Sequence, residues 1–265
     1  MSVEQVTSAS NPLIKRARKL RRRKQREAEG AFLVEGIAPV WQAVEHGVTI
    51  DALFYSPDLL TSPGALDLVA RLEGSARVVE VTDRAFETLS DREHPVGIAA
   101  IARAATLRLR DLEVGADSVF VALDEIGNPG NLGTIVRSVD GAGGSGVIVS
   151  GDSTDVWHPT AIKASMGTVF GIPLCVTDAI EDVLTWAGDV GLQTVTTSAH
   201  AEADHFEAHL KRPCLLVFGS EASGLRPGVL ERGDVAVRIP MSGTATSLNL
   251  SVAVGVLLYE VMRPR

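Results

Sequence analysis

The sequence contains little cysteine: only Cys175 and Cys214 in 265 residues. Both lie in apolar runs far apart in the chain, which is typical of buried small side chains rather than of disulfides or nucleophiles. No apolar run approaches the roughly 18 residues of a membrane-spanning helix. The N-terminus lacks the apolar core of a secretory signal. These absences predict a globular, cytoplasmic protein with no membrane partner.

Three stretches resemble common nucleotide-binding or metal-binding motifs but do not meet their requirements. Residues 219–224 are rich in glycine and serine, but no Gly-Lys-Ser/Thr follows them, which argues against nucleoside triphosphate hydrolysis. Residues 141–146 match G-x-G-x-x-G, yet they follow a helix and precede a strand, so they predict a helix C-cap rather than a dinucleotide site. His200, His205 and His209 lie among acidic residues, but the order is not His-Glu-x-x-His, and we expect a solvated face and no metal.

Charge is distributed unevenly along the chain. The net charge is −8, but residues 1–30 contain nine Lys or Arg and three Glu, a net +6. Read as a helix, this segment docks Leu13, Ile14, Ala17 and Leu20 while its cations face outward, as a phosphate-binding surface would. A solvated helix, a localisation signal or an anionic-membrane contact would have the same composition. The candidate phosphate contacts are Lys15, Arg16, Arg18, Lys19, Arg22 and Arg23.

Strands and helices alternate through the first 105 residues. Strand-like runs lie at 31–35, 50–55, 77–81 and 97–101, with helical segments between them. Because parallel strands are joined by crossovers, which here are helices, this order predicts a small layered α/β domain over residues 1–105. Residues 106–116 are interpreted as a linker.

The alternation resumes more strongly over residues 117–265, which are predicted to form a second α/β domain. Ser118–Leu123 is a buried strand, and a polar loop at residues 127–131 leads into a helix that carries Arg137 beside its apolar stripe. Taken alone, Arg137 fits a surface arginine with a buried stem.

Two further loops follow strands in the second half. One is the Gly219–Gly224 turn after residues 215–218, and the other lies between the strand at 235–239 and a final helix at about 248–262. Ligands of open parallel sheets bind beyond the carboxyl ends of the strands, so the loops predict one pocket. Ser247 fits a helix N-cap, whereas Asn249, one turn inside, favours a specific hydrogen bond.

Together, three segments resemble the motifs of the SpoU/TrmH family of RNA 2′-O-ribose methyltransferases, in order and in spacing. They are Asn131–Arg137, the 218–221 turn with Gly224, and residues 239–241 through 247–251. The resemblance covers about residues 118–265. Residues 8–104 more loosely resemble the substrate-binding domain of the ribosomal RNA members.

This resemblance implies a parallel α/β sheet tied in a trefoil knot, a homodimer, RNA as partner and S-adenosylmethionine as cofactor. By motif match, Gly219, Ile239, Leu248 and Thr197 would contact the cofactor. The implied catalytic residues are Asn131, Arg137, Glu221, Ser247 and Asn249, partly across the dimer interface.

The chemistry requires a ribose hydroxyl to lose a proton as it attacks a sulfonium methyl group. The resemblance assigns the proton to Arg137, but a guanidinium ordinarily stays protonated. Alternatively, Arg137 holds a phosphate and stabilises the alkoxide. We therefore expect a 23S ribosomal RNA methyltransferase. A transfer RNA enzyme, an antibiotic-resistance enzyme, a base-methylating relative and an inactive RNA-binding module stay open as alternatives.

Overall fold

The structure, a computed structural model, describes residues 4–264. It divides into two compact units, each with its own core. One comprises the residues up to Ala105 together with Asp155–Gly171, and the other comprises Thr106–Thr154 and the residues from Ile172 onward. One division between the units falls between Ala105 and Thr106. The segment Asp155–Gly171 differs, because the sequence placed it in the second domain.

The first unit forms a five-stranded mixed sheet with helices on its faces. Its elements are β1 (Glu4–Val6), α1 (Pro12–Lys19), α2 (Arg23–Glu29), β2 (Ala31–Glu35), α3 (Ile37–Glu45), β3 (Ile50–Tyr55), α4 (Pro63–Leu72), β4 (Arg77–Val81), α5 (Asp83–Glu87) and β5 (Ile98–Arg103). The strand order is β1-β4-β3-β5-β2. The expectation of parallel strands is wrong for β5, which runs antiparallel to both β2 and β3.

The basic segment forms two short helices rather than one. The chain turns after Leu20, and α2 ends at Gly30, whose φ of 57° is left-handed and suits glycine. Ile14, Ala17 and Leu20 are fully buried in the core of the first unit, as predicted. The prediction that the cations face outward is wrong for Arg26, which is 3% exposed.

The second unit is a seven-stranded sheet in which every pairing is parallel. From β6 onward the elements are β6 (Val119–Asp124), α6 (Pro129–Ala142), β7 (Gly146–Ser150), α7 (Pro159–Ala164, in the first unit), β8 (Leu174–Thr177), α8 (Ile180–Asp189), β9 (Gln193–Thr197), β10 (Ala203–Asp204), β11 (Cys214–Phe218), α9 (Pro227–Leu230), β12 (Val235–Arg238) and α10 (Leu250–Met262). The strand order is β10-β12-β9-β11-β6-β7-β8.

The core of the second unit explains two features of its sequence. Phe120 and Trp186 meet edge to face with ring centroids 5.4 Å apart, and Leu112 is buried in the same cluster. Residues 106–116 are therefore not a free linker, because Leu112 packs in this core and Leu107 bridges Cys175. Gly143 ends α6 with a φ of 75°, so the G-x-G-x-x-G stretch contains a helix C-cap, as predicted.

Candidate active site

Four strands of the second unit end beside one another and carry the candidate site. In the sheet, β12, β9, β11 and β6 are consecutive neighbours, and all four run in the same direction. The loops that follow them therefore leave from one edge. This brings together segments that are more than 100 residues apart in the sequence.

The loop after β6 positions Asn131 through a helix cap. The Asn128 Oδ1 atom accepts hydrogen bonds from the backbone N–H groups of Gly130 (2.8 Å) and Asn131 (3.2 Å). Pro129 occupies the first turn of α6, where a missing N–H costs nothing. Asn131 thus lies inside the first helical turn and is 9% exposed. The sequence had placed it in the preceding loop.

Three predicted catalytic residues form a hydrogen-bonded chain. The Asn249 Nδ2 atom donates to Asn131 Oδ1 (3.1 Å), and Asn131 Nδ2 donates to Glu221 Oε1 (3.0 Å). The backbone N–H of Gly127 donates to the other carboxylate oxygen of Glu221 at 3.3 Å. Each of the three motifs contributes one member, so the chain fixes the orientation of the Asn131 amide.

The charge of Glu221 is stabilised by these donors. Partial burial would raise its pKa, but the hydrogen bonds from Asn131 and from backbone N–H groups, including that of Gly127, outweigh burial. The net result is a pKa below the ordinary value, so Glu221 is a carboxylate near neutral pH. It is a fixed acceptor for Asn131.

Asn249 also begins the last helix. Its Oδ1 atom accepts hydrogen bonds from Ser251 N (2.9 Å) and Ser251 Oγ (2.6 Å), which makes it the N-cap of α10. The expectation that Asn249 lies one turn inside the helix, with Ser247 as the cap, is therefore wrong. Because its amide oxygen caps the helix, its amide nitrogen is free to reach Asn131.

A cavity of about 560 Å³ opens beside the hydrogen-bonded side chains of Asn249, Asn131 and Glu221. The four predicted cofactor residues line it: Thr197, Gly219, Ile239 and Leu248. Glu221, Ser247 and Asn249 line it as well. Ser198 and His200, which follow β9, also line it. The sequence did not identify Ser198, and it placed His200 on a solvated face rather than in the site. The rule that ligands collect at parallel strand ends would have found this loop.

Gly219 is required by the shape of the loop after β11. A Cβ atom at this position would lie 2.2 Å from the carbonyl carbon of Gly224 and 2.4 Å from Leu225 N. Both are backbone atoms that no side-chain rotation can move. The loop therefore folds back on Gly219, and its backbone forms part of the cavity wall.

Arg137 lies outside this cavity. It is exposed on α6, and its guanidinium has no ion pair or hydrogen bond within residues 4–264. It lies six positions after Asn131, so the two side chains leave the helix about 120° apart. The structure of one chain thus brings together Asn131, Glu221, Ser247 and Asn249, but not Arg137.

The candidate phosphate contacts lie in the first unit and differ in their surroundings. Lys15, Arg18, Lys19 and Arg22 are exposed. Arg16 instead forms ion pairs with Glu29 (2.7 Å) and Asp51 (2.9 Å), which raise its pKa. Arg23 pairs with Glu27 at 2.7 Å on the solvent face of α2.

The fold and site define a class: a parallel α/β protein whose strand-end loops form a backbone-lined cavity beside an amide–carboxylate chain. Residues 118–259 match the SpoU rRNA methylase family, and residues 11–100 match the MRM3-like substrate-binding domain. The chain belongs to the SpoU family.

Relatives of known structure and name support this assignment. An S-adenosylmethionine-bound ribosomal RNA methyltransferase from Sinorhizobium meliloti has a TM-score of 0.91 and 33% identity, covering 98% of both chains. A 23S ribosomal RNA (uridine(2479)-2′-O)-methyltransferase from Streptomyces viridochromogenes is 32% identical over 92% of this chain and 86% of its own length. A 23S ribosomal RNA (guanosine(2553)-2′-O)-methyltransferase from Bacillus subtilis is 25% identical over 98% of this chain and 99% of its own.

These comparisons confirm the predicted family, the α/β knotted fold class, the RNA methyltransferase class and the cofactor S-adenosylmethionine. Within residues 4–264 no helix is long and apolar enough to cross a membrane.

Proposed function

We propose that this protein transfers a methyl group from S-adenosylmethionine to a ribose 2′-hydroxyl of 23S ribosomal RNA, in the cytoplasm. The observation that carries the proposal is the hydrogen-bonded chain from Asn249 through Asn131 to Glu221, at the edge of the cavity. It supports an active enzyme over an inactive binding module, because the polar side chains of all three motifs are positioned together. The relatives named for 23S ribosomal RNA support the substrate.

The cavity fits the cofactor on structural grounds. Its volume of about 560 Å³ can hold an adenosine with a short polar tail. Loop backbone at Gly219 and the apolar side chains of Ile239 and Leu248 line it, and such a lining suits the adenosine. When bound there, S-adenosylmethionine supplies an electrophilic methyl group. Glu221 and Asn249 hold the Asn131 amide, and these three residues orient the groups that meet at the cavity mouth.

Arg137 completes the site in our proposal as a residue of the partner protomer. Val252 and Tyr259 of α10, which packs on α6, are 50% and 58% exposed, so apolar side chains lie open on the helix that contacts the element carrying Arg137. A second copy that covers these side chains would carry its arginine toward the cavity. We therefore propose a homodimer in which Arg137 binds the RNA phosphate or handles the proton of the hydroxyl.

Methyl transfer tests the reaction. The protein is incubated with labelled S-adenosylmethionine and ribosomal RNA, and the modified nucleotide is identified by mass spectrometry after nuclease digestion. We expect label on one ribose. Label on a base would indicate a base-methylating relative, and cofactor binding without transfer would indicate an inactive module.

Complementation tests the shared site. The inactive variants Arg137→Ala and Gly219→Val are denatured, mixed and refolded together. If Arg137 acts across a two-fold interface, each mixed dimer regains one intact site, roughly a quarter of all sites in an equal mixture. If each site lies within one chain, the mixture stays inactive and the cross-protomer role of Arg137 is wrong.

A further inference from the structure

The first unit contains a second, smaller cavity of about 150 Å³. Three cationic side chains line it: Arg21, Arg92 and Lys163. Two acidic residues, Glu35 and Asp91, and the exposed Thr160 also contribute. The charges of the ionisable lining residues sum to +1. The cavity is about a quarter of the size of the one beside Gly219, so it suits a small anionic group rather than a nucleoside.

Arg21 lines this cavity and has one hydrogen-bond donor that no residue uses. Its Nη1 atom pairs with Asp91 Oδ1 at 3.0 Å, but its Nη2 atom is buried and has no partner in the part of the chain that the structure describes. A buried donor without an acceptor is destabilising, and native structures contain few of them. The arrangement favours an acceptor that is supplied from outside the chain.

Lys163 is also available to an external group. It lies on α7 and is exposed, and its ammonium group has no ion pair or hydrogen bond to any residue between 4 and 264. Arg92 is held loosely: its Nη2 atom lies 3.4 Å from the carbonyl oxygen of Glu35, and its Nε atom lies 3.6 Å from Glu35 Oε1. Arg21 and Lys163 therefore each keep a hydrogen-bond donor available to an external group.

The walls of the cavity are joined by a buried arginine. Arg26 donates to the carbonyl oxygens of Leu20 (2.9 Å) and Arg21 (2.7 Å) and to Asp155 Oδ2 (2.5 Å). It thereby fixes the backbone that carries Arg21 and the start of the segment that carries Lys163. It is one of the contacts that join the segment Asp155–Gly171 to the first unit, together with the stacking of Trp157 and Phe170 on Phe32.

We propose that this cavity binds one backbone phosphate of the substrate RNA, held by Arg21 Nη2 and Lys163 Nζ. Resting on the proposed function, this inference assigns part of RNA recognition to residues outside the basic segment. Arginine forks and lysine ammonium groups are the donors that phosphate oxygens accept from in RNA complexes. The same unit carries the exposed cations of α1, so one strand of RNA could contact both.

The test is the salt dependence of RNA binding by the full chain. Binding of a ribosomal RNA fragment is measured by fluorescence anisotropy at several salt concentrations for the parent, Lys163→Gln, Arg21→Gln and Lys211→Gln. Lys211 is the matched control, because it is an exposed lysine of the second unit that lines neither cavity. Loss of one phosphate contact lowers the slope of log K against log salt by about 0.7–0.9.

We expect that decrease, with several-fold weaker binding, in Lys163→Gln and Arg21→Gln but not in Lys211→Gln, and unchanged S-adenosylmethionine affinity in all three. Equal slopes in Lys163→Gln and the parent would overturn the inference, as would binding of inorganic phosphate alone that leaves the RNA slope unchanged. Thermal melting of Lys163→Gln, an exposed position, checks that the fold persists. If the parent itself binds no RNA, the proposed function fails instead, which is a distinguishable outcome.

Discussion

The two units have similar alternations of strand and helix, but their sheets place the candidate functional residues differently. In the second unit every strand is parallel, so the loops after β6, β9, β11 and β12 collect at one edge and hold Asn131, Glu221 and Asn249 together. In the first unit β5 runs against its neighbours, so strand ends point both ways, and the functional candidates lie on helices and in a side cavity. The parallel sheet therefore brings the candidate catalytic side chains to one edge, whereas in the first unit the candidate RNA contacts are spread over helices and a separate cavity.

The largest expected effect comes from breaking the strand-end cavity itself. Gly219→Val places a branched side chain where Gly224 and Leu225 backbone atoms lie within 2.4 Å, so the loop must open. We expect S-adenosylmethionine binding to be lost in calorimetry, with circular dichroism close to that of the parent. Gly228→Val is the control, because a Cβ atom there meets nothing within 4 Å. Normal cofactor binding by Gly219→Val would mean that the cofactor occupies another site.

Arg137 tests whether the second unit's chemistry extends beyond one chain. Its contribution falls mainly in the transition state, so Arg137→Ala should lower single-turnover methylation by about 10²–10⁴-fold while cofactor affinity changes little. Arg137→Lys should restore little activity if the planar guanidinium fork is needed.

Arg110→Ala serves as the comparison for Arg137→Ala, since Arg110 is also an exposed arginine of the second unit. Melting curves exclude unfolding. An Arg137→Ala rate within about threefold of the parent would identify Arg137 as an ordinary surface arginine.

The basic surface of the first unit should behave differently from either site. Neutralising the exposed cations Lys15, Arg18 and Arg22 to Gln should weaken RNA binding and lower its salt slope by up to about 0.7–0.9 for each lost phosphate contact. Turnover at saturating RNA should persist. Substitution is a better test than deletion, because Ile14 and Leu20 from the same segment are fully buried. An unchanged slope in the triple variant would show that these cations do not contact phosphate.

Local signals were sufficient for most of the elements. The strands Ala31–Glu35, Ile50–Tyr55 and Gly146–Ser150 follow from β-branched and apolar runs bounded by turn residues. The direction of β5 could not be predicted, because whether a strand runs with or against its neighbours depends on the path of the preceding connection rather than on composition.

Tertiary contacts determined what the sequence left out of the site. Arg26 resembles its basic neighbours in sequence, but its side chain is buried and donates to Asp155, a residue 129 positions away. The same applies to Asn249, whose double role as a helix cap and as donor to Asn131 depends on where β12 delivers the chain. Motif spacing indicated which residues meet, and the fold determined which atoms bond.

The smallest expected effect concerns the carboxylate that holds Asn131. Partial burial opposes ionisation of Glu221, but hydrogen bonds from Asn131 and backbone N–H groups lower its pKa below the ordinary 4.5. A lowered folded-state pKa stabilises the protein above the unfolded-state value, and this contribution disappears as the pH falls through the folded-state value. The difference in unfolding free energy between the parent and Glu221→Gln should therefore shrink on acidification from about pH 6 to about pH 3. We expect a change well under about 1.4 kcal/mol, because solvent screens the site. Urea unfolding across this range measures it, with the exposed Glu202→Gln as the control. A difference that stays constant with pH would show that the Asn131–Glu221 hydrogen bond does not depend on the charge of the carboxylate.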